Sequence, residues 1–474
     1  MASNPFNVGI HAAEIYIPKK FVNQTELEQF DGASAGKYTI GLGQQNMAIC
    51  DDREDINSIC LTAVNNLLDK YEINPASIGF LEVGTETIID KSKSVKSVLM
   101  QLFASAGNTN IEGIDCKNAC YGGTNALFAA INWLESGYVE EGKEWAIVVA
   151  ADIAVYKSGS ARPTGGAGAV AMLLGRHAPL VFDRAMRSTF MEHVWDFYKP
   201  DLHSEYPEVD GPLSNMCYIK AIDKCYEGYL ERVAKKEGAS AKLNMDVGDY
   251  FLFHCPYSKL VQKSFGRLAF NDYLRNPSAF PAIPDSIKEH PNLTRESTYT
   301  DKNVEKVFME VVKAQQKAKV DPGLLASRNV GNMYCGSLYS GLVSVLSEVT
   351  AEELVAKRLV LFSYGSGLSS SMFSITVQQG QATIDTLNRI RSNLRVADRL
   401  QARTKIEPKV YDEIMALRQG VHNAKEYTPV SSNKDMFPGT WYLVDIDGMF
   451  RRKYARVGFG GDDMEITPPM TPTL

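Results

Sequence analysis

The sequence predicts an α/β protein built from two related halves, and three observations carry that reading. Short apolar runs of strand length alternate with stretches whose apolar residues recur at helical spacing. Reactive side chains follow such strands in both halves of the chain, Cys120 in the first and His254 in the second. The chain has 474 residues, more than one simple core holds, so two domains or one large duplicated fold is expected.

The elements follow in chain order. Gly79–Gly84 reads as a short strand. Ser94–Phe103 reads as a helix, because Val95, Val98, Leu99, Leu102 and Phe103 share a face. Ile111–Asp115 is the next strand. A helix over Thr124–Ser136 places Leu127, Phe128, Ile131 and Leu134 on one side, with Gly137 as its stop. Trp145–Ala150 is a continuous apolar run, which suits a strand buried on both faces. In the second half, Tyr250–Phe253 is a strand ending at His254, and a helix carrying Leu260, Ser264, Leu268 and Phe270 follows. Leu342–Leu346 is helical, and Arg358–Phe362 with Met372–Val377 forms a hairpin around Tyr364–Gly367. Ser278–Tyr299, rich in proline and polar residues, is a surface excursion. Units of strand, reactive residue and helix thus recur in each half, which is the mark of a duplicated α/β architecture.

Bulk properties exclude several classes of function. A net charge of -6 argues against a general nucleic-acid or anionic-membrane surface. No apolar run reaches the ~18 residues of a membrane span. The start, Met1–Val8, is neither Arg-rich nor signal-like, so a cytoplasmic protein is expected. The end, Thr467–Leu474, is Pro/Thr-rich, and a disordered tail over 461–474 is expected. The eight cysteines form no CxxC and no zinc-like cluster with the seven histidines, so reduced thiols and no metal are expected.

Five features could carry chemistry. Cys120 lies in Asn118-Ala-Cys-Tyr-Gly-Gly-Thr124, where a strand hands over to a helix. The two glycines let the backbone turn sharply. A helix N-terminus lowers a thiol's pKa, and the thiolate is the nucleophile. The same pattern fits a buried, inert cysteine equally well. His254 ends an apolar strand before Pro256, at the carboxyl end where α/β folds bind ligands. A core histidine bonded to backbone is the commoner occupant of such a place. Glu86 follows Val83-Gly84-Thr85, and most loop glutamates are solvated. Neighbours Ile88 and Ile89 imply burial, which raises a carboxyl toward the range of a general acid/base. Lys259, Lys263 and Arg267 would form one basic stripe on a helix, ordinarily a solvated face, here suited to a phosphate-bearing substrate. The Gly365-Ser-Gly367 turn offers N–H groups to an oxyanion, although a lone GxG is usually just a turn.

Longer strings resemble the 3-hydroxy-3-methylglutaryl-CoA synthase family of the thiolase superfamily. They include Asp31–Gly41, Glu82–Ser94, Asn118–Thr124, Arg162–Gly166, Asp196–Asp201, Ser204–Pro207, Phe253–Lys263, Phe362–Gly367, Gly439–Leu443 and Arg451–Ala455. The resemblance runs from about Val8 to about Arg456. It implies a thiolase-like fold, layered α/β/α/β/α, with halves over 6–178 and 179–460, as a homodimer. It implies Cys120 as nucleophile, Glu86 as general acid/base and His254 as the residue positioning the second substrate. Ser34, Ala35, Ser160, Thr164, Ser214, Lys259, Lys263, Asn332 and Ser366 are implied to touch substrate or CoA, and Asp152 and Asp196 to support the site. The implied reaction joins acetyl-CoA to acetoacetyl-CoA in the mevalonate pathway. It uses CoA thioesters as small-molecule partners and requires neither metal nor redox cofactor. Departures from the family pattern are Phe190 for a frequent His, Ser160 for Asn, and Cys255 and Cys335 for Ser and Thr. Two other readings are weighed: a ketoacyl synthase III-type decarboxylating enzyme, whose Cys, His and Asn come in the same chain order, and, of a different class, a catalytically silent CoA-binding relative. Glu86 separates the first, since decarboxylation makes a carbanion without a carboxylate base.

Overall fold

The structure is a computed structural model describing residues 6–290, 292–458 and 463–464. Among these, one sheet holds ten strands: β1 (Gly9–Tyr16), β2 (Ile78–Gly84), β3 (Asp115–Cys116), β4 (Trp145–Ala154), β5 (Gly166–Gly175), β6 (Leu180–Phe182), β7 (Ser188–Met191), β8 (Tyr250–Phe253), β9 (Arg358–Gly365) and β10 (Ser369–Val377). Their order is β8-β9-β10-β6-β1-β5-β4-β2-β3, with β7 beside β10.

Duplication is visible in the pairing. In the first half β1–β5 and β5–β4 are antiparallel and β4–β2 is parallel. In the second half β6–β10 and β10–β9 are antiparallel and β9–β8 is parallel. The halves join where β1 pairs antiparallel with β6, Gly9 facing Val181. β2 and β8 therefore hold equivalent places. So do the helices α2 (Gly122–Glu135) and α5 (Ser337–Glu348), which start just after Cys120 and Asn332.

These strands form because their sequences suit burial on both faces. Every residue of β5 and all but Trp145 of β4 are buried. Ile111–Asp115 differs from the expectation: only Asp115–Cys116 pairs as a strand, and Glu112 makes an isolated bridge to Phe80. The helix expected over Ser94–Phe103 is α-helical only for Val95–Leu99 and tightens to 3-10 over Met100–Ala106. Ser136 rather than Gly137 caps α2.

Further helices are α1 (Ile56–Tyr71), α3 (Gly211–Glu237), α4 (Ser258–Arg275) and α6 (Gln381–Leu394). A late hairpin, β11 (Trp441–Ile446) with β12 (Arg452–Val457), returns to the first half: the Trp441 amide donates to Thr62 of α1 at 2.8 Å. The tail expected over 461–474 lies outside the described residues except Asp463–Met464, which pair with β12. So does the start of the chain over 1–5. All eight cysteines are free thiols. Among the described residues no cluster fit for a metal ion occurs, and no helix is long and apolar enough to cross a membrane.

Candidate active site

Cys120 lies just before α2, Glu86 just past β2 and His254 just past β8. The turn into α2 is made by Ala119 at φ 43°, in the left-handed region uncommon for alanine. Gly122 and Gly123 do not make that turn, contrary to the expectation from sequence; they permit close packing. A Cβ on Gly123 would lie 2.7 Å from Ala150 Cβ, and one on Gly122 2.6 Å from the Cys116 carbonyl oxygen. Strand ends press equally close: a Cβ on Gly84 would meet Gly123 N at 2.2 Å, and one on Gly365 would meet Tyr121 N at 2.5 Å.

The thiol of Cys120 donates to Glu86 Oε1 at 3.4 Å. Glu86 Oε2 lies 3.1 Å from the ammonium of Lys199. Asp152, fully buried, holds the Glu86 loop: its Oδ1 accepts the Glu86 and Thr87 amides at 2.8 and 2.9 Å and the Thr85 and Thr87 hydroxyls at 2.8 and 2.7 Å. Its Oδ2 accepts the Cys335 amide at 2.9 Å, tying that loop to the start of α5. Asp196, also fully buried, accepts the Tyr364 hydroxyl at 2.9 Å and the Gly367 amide at 2.8 Å, which fixes the glycine turn carrying Ser366. Asn118 Nδ2 donates to the Ser366 carbonyl at 3.3 Å. A cleft of about 320 Å³ opens here, lined by Glu86, Asn118, Lys199 and Ser366 with Trp195 and Tyr198 farther out.

The electrostatics differ from the sequence expectation at Cys120. Burial, then the Glu86 and Asp152 carboxylates, push its thiol well above the ordinary range. The resting sulfur is therefore a protonated donor. The first amides at the helix start bond locally, Tyr121 N to Asn118 O at 3.0 Å and Gly122 N to Ala119 O at 3.4 Å. Burial also raises Glu86, against the pull of Lys199. His254 is 2 % exposed, and burial lowers its imidazole to about 3, so the ring is neutral at pH 7. Its amide donates to Phe362 O at 2.7 Å and its carbonyl accepts the Tyr218 hydroxyl at 2.6 Å.

The other expected residues occupy several places. Asn332 is buried before α5, its Oδ1 accepting the Tyr334 amide and the Ser337 hydroxyl at 2.8 Å each and its amide reaching Thr164 O at 3.4 Å. Ser34 and Ala35 lie on an exposed loop that Glu28 holds through the Gly36 and Tyr38 amides at 2.6 Å each. That loop reaches the start of α4, where the Lys259 amide donates to Leu42 O at 2.9 Å. Its Asp31 pairs with Arg162, beside exposed Ser160 and half-buried Thr164. Ser214 is in the first turn of α3. The basic stripe does not exist as such. Arg267 is 6 % exposed and paired with Asp223 at 2.6 Å, and Lys263 pairs with Glu305 at 3.0 Å. Among the described residues, Lys259 alone of the three makes no ion pair within the chain.

Lys199 is the residue that local sequence patterns miss. Its signal is the Asp196–Asp201 string, and its position beside Glu86 appears only when the chain is folded.

Comparisons agree over nearly the whole chain. Family models described as Hydroxymethylglutaryl-coenzyme A synthase N terminal and C terminal match residues 4–179 and 180–457. A hydroxymethylglutaryl-CoA synthase of Aspergillus fumigatus is 53% identical over 467 residues, covering 96% of this chain and 99% of that protein. A cytoplasmic hydroxymethylglutaryl-CoA synthase of Gallus gallus is 50% identical, covering 97% of this chain and 88% of that protein. The solved structure of MvaS in complex with 3-hydroxy-3-methylglutaryl coenzyme A matches with a TM-score of 0.79 at 29% identity, covering 95% of this chain and 99% of that one. The thiolase-like fold follows, and the chain belongs to the hydroxymethylglutaryl-CoA synthase family.

Proposed function

We propose that this protein condenses acetyl-CoA with acetoacetyl-CoA and water to give 3-hydroxy-3-methylglutaryl-CoA and CoA, in the cytoplasmic mevalonate pathway. The observation that carries this reading is the hydrogen bond from the Cys120 thiol to the Glu86 carboxylate at the wall of an open cleft. It sets a nucleophile and a base within reach of one small acyl group.

Cys120 loses its proton as the sulfur attacks the acetyl carbonyl, and CoA leaves as a thiol. The acetyl methyl then sits beside Glu86. Glu86 takes a methyl proton, and the C–H electron pair becomes an enolate. N–H groups of Cys120 and of the Ser366 turn stabilise its oxygen, one such donor typically being worth about 3–4 kcal/mol. The enolate carbon attacks the ketone of acetoacetyl-CoA, which the neutral imidazole of His254 polarises by donating a hydrogen bond. The proton taken by Glu86 returns to the new alkoxide. Water then cleaves the enzyme thioester, restoring the Cys120 thiol and leaving a carboxylate on the product. Lys259 meets CoA phosphate, a charge-assisted contact. Asn332, Ser34, Ala35, Ser160, Thr164, Ser214 and Lys263 line the approach of the two thioesters, and two chains assemble as a homodimer.

The decarboxylating alternative leaves Glu86 without a task, so the carboxylate beside the sulfur favours condensation. Release of CoA thiol from acetyl-CoA plus acetoacetyl-CoA, followed with a thiol dye, tests the reaction. In Glu86→Ala an acetyl adduct on Cys120 persists by mass while condensation disappears, because removing that charge eases ionisation of the sulfur. Carbon dioxide release from a malonyl thioester, or loss of the adduct in Glu86→Ala, overturns the reading.

A further inference from the structure

Lys199 follows a two-residue strand, Phe197–Tyr198, that pairs with Glu208–Val209. Its ammonium reaches Glu86 Oε2 at 3.1 Å while the Cys120 thiol donates to Oε1 at 3.4 Å, so the two oxygens of one carboxylate are divided between two partners. Aromatic rings hold the lysine in place. The ammonium lies 4.5 Å from the centroid of Tyr334 and 5.7 Å from that of Phe197, and those rings meet edge-on at 5.7 Å. The pair is 19% and 5% exposed, so salt and water screen it little.

Several titratable groups share this space. They are the carboxylates of Glu86 and Asp152, the thiols of Cys120 and Cys335, and the phenols of Tyr156 and Tyr334, and Glu205 also feels the ammonium. Lys199 is the cation of that set. Burial alone favours a protonated carboxyl, and an adjacent ammonium opposes it.

We propose that Lys199 is a positioning residue for the condensation: its ammonium holds one oxygen of Glu86 so that the other faces the Cys120 sulfur as an ionised base. The proposal rests on the functional reading above. In the enolisation step the methyl proton goes to Glu86 Oε1 and the C–H pair to the enolate. Lys199 stays charged throughout and passes no proton. The balance of charges agrees with this. Burial works against the ammonium, yet Glu86 and Asp152 hold it above the ordinary lysine value.

The test reads the sulfur rather than turnover. Wild type, Lys199→Met and Lys199→Arg are alkylated with iodoacetamide across a pH series, and the Cys120 peptide is followed by mass. Lys199→Met slows Cys120 alkylation roughly tenfold at a fixed pH below the plateau, because an opposite charge within reach is lost. Lys199→Arg restores it. In steady-state assays Lys199→Met lowers kcat and moves its acid limb to higher pH while the KM for acetoacetyl-CoA holds. Should Lys199→Met fail to fold, the near-isosteric Lys199→Gln takes its place. An alkylation profile unchanged in the uncharged variant overturns the proposal. A shifted profile with no condensation by any form upholds the hold of Lys199 on the Glu86–Cys120 pair and overturns the functional reading on which its role in condensation rests.

Discussion

The Arg267–Asp223 pair and the Lys199–Glu86 pair are both buried, and their surroundings separate them. Arg267 donates to both Asp223 oxygens, at 2.8 and 2.6 Å, and gives its remaining reach to Thr298 at 2.7 Å and the Arg295 carbonyl at 2.9 Å. Asn271 completes Asp223 at 2.6 Å. Around Lys199 the ion pair among the described residues is monodentate, the cation rests on aromatic rings, and the carboxylate's other oxygen faces a thiol. A pair whose every nitrogen and oxygen is engaged holds elements together. A pair with one oxygen turned toward a thiol beside a cleft keeps an acceptor within reach of a proton, as the proposed mechanism needs.

The difference can be broken from either side. The largest expected effect is at Glu86. Glu86→Gln lowers turnover by roughly 10²–10⁴-fold, the usual range for a lost general base, while thermal unfolding stays at or above wild type. Loss of stability with turnover intact would reverse the contrast. Next is Arg267→Met, which strands Asp223 as a buried charge and costs about 3–5 kcal/mol in denaturant unfolding. Turnover per folded molecule stays unchanged, and Arg267→Met with Asp223→Asn recovers much of the loss.

A further effect, confined to acid, comes from His254, a buried imidazole that burial holds below its ordinary value. Its folded pKa of about 3 lies below the unfolded value of 6.5. The neutral ring's contribution is thus complete above 6.5 and is lost as pH falls toward 3. Between those values wild type loses stability relative to His254→Gln by up to about 1.4 kcal/mol per pH unit. Parallel stability–pH curves for the two proteins would exclude this.

Much of the site is legible along the chain, because strand ends announce themselves. Val83-Gly84 before Glu86 and Phe251–Phe253 before His254 are apolar runs broken by a change of character, and both are strands that end there. What local pattern misses is charge arriving from elsewhere. The helix start after Cys120 is real, yet the sulfur's environment is set by Glu86 after β2 and Asp152 on β4, neither visible from Asn118–Thr124. The spacing of Lys259, Lys263 and Arg267 does mark a helix, but Glu305 and Asp223 neutralise two of the three from distant segments. Lys199 fails for the same reason in reverse: its role lies wholly in a partner that sequence distance conceals.

Because β1 hydrogen-bonds directly to β6, the two halves form one ladder with no seam between them. Glu86 and Cys120 come from one side of that junction and His254 and Asn332 from the other. Proteolytic nicking that frees either side therefore removes the chemistry outright, without a partially competent remnant. Complementation by two separately expressed fragments is correspondingly expected only if both are present as the strands first pair.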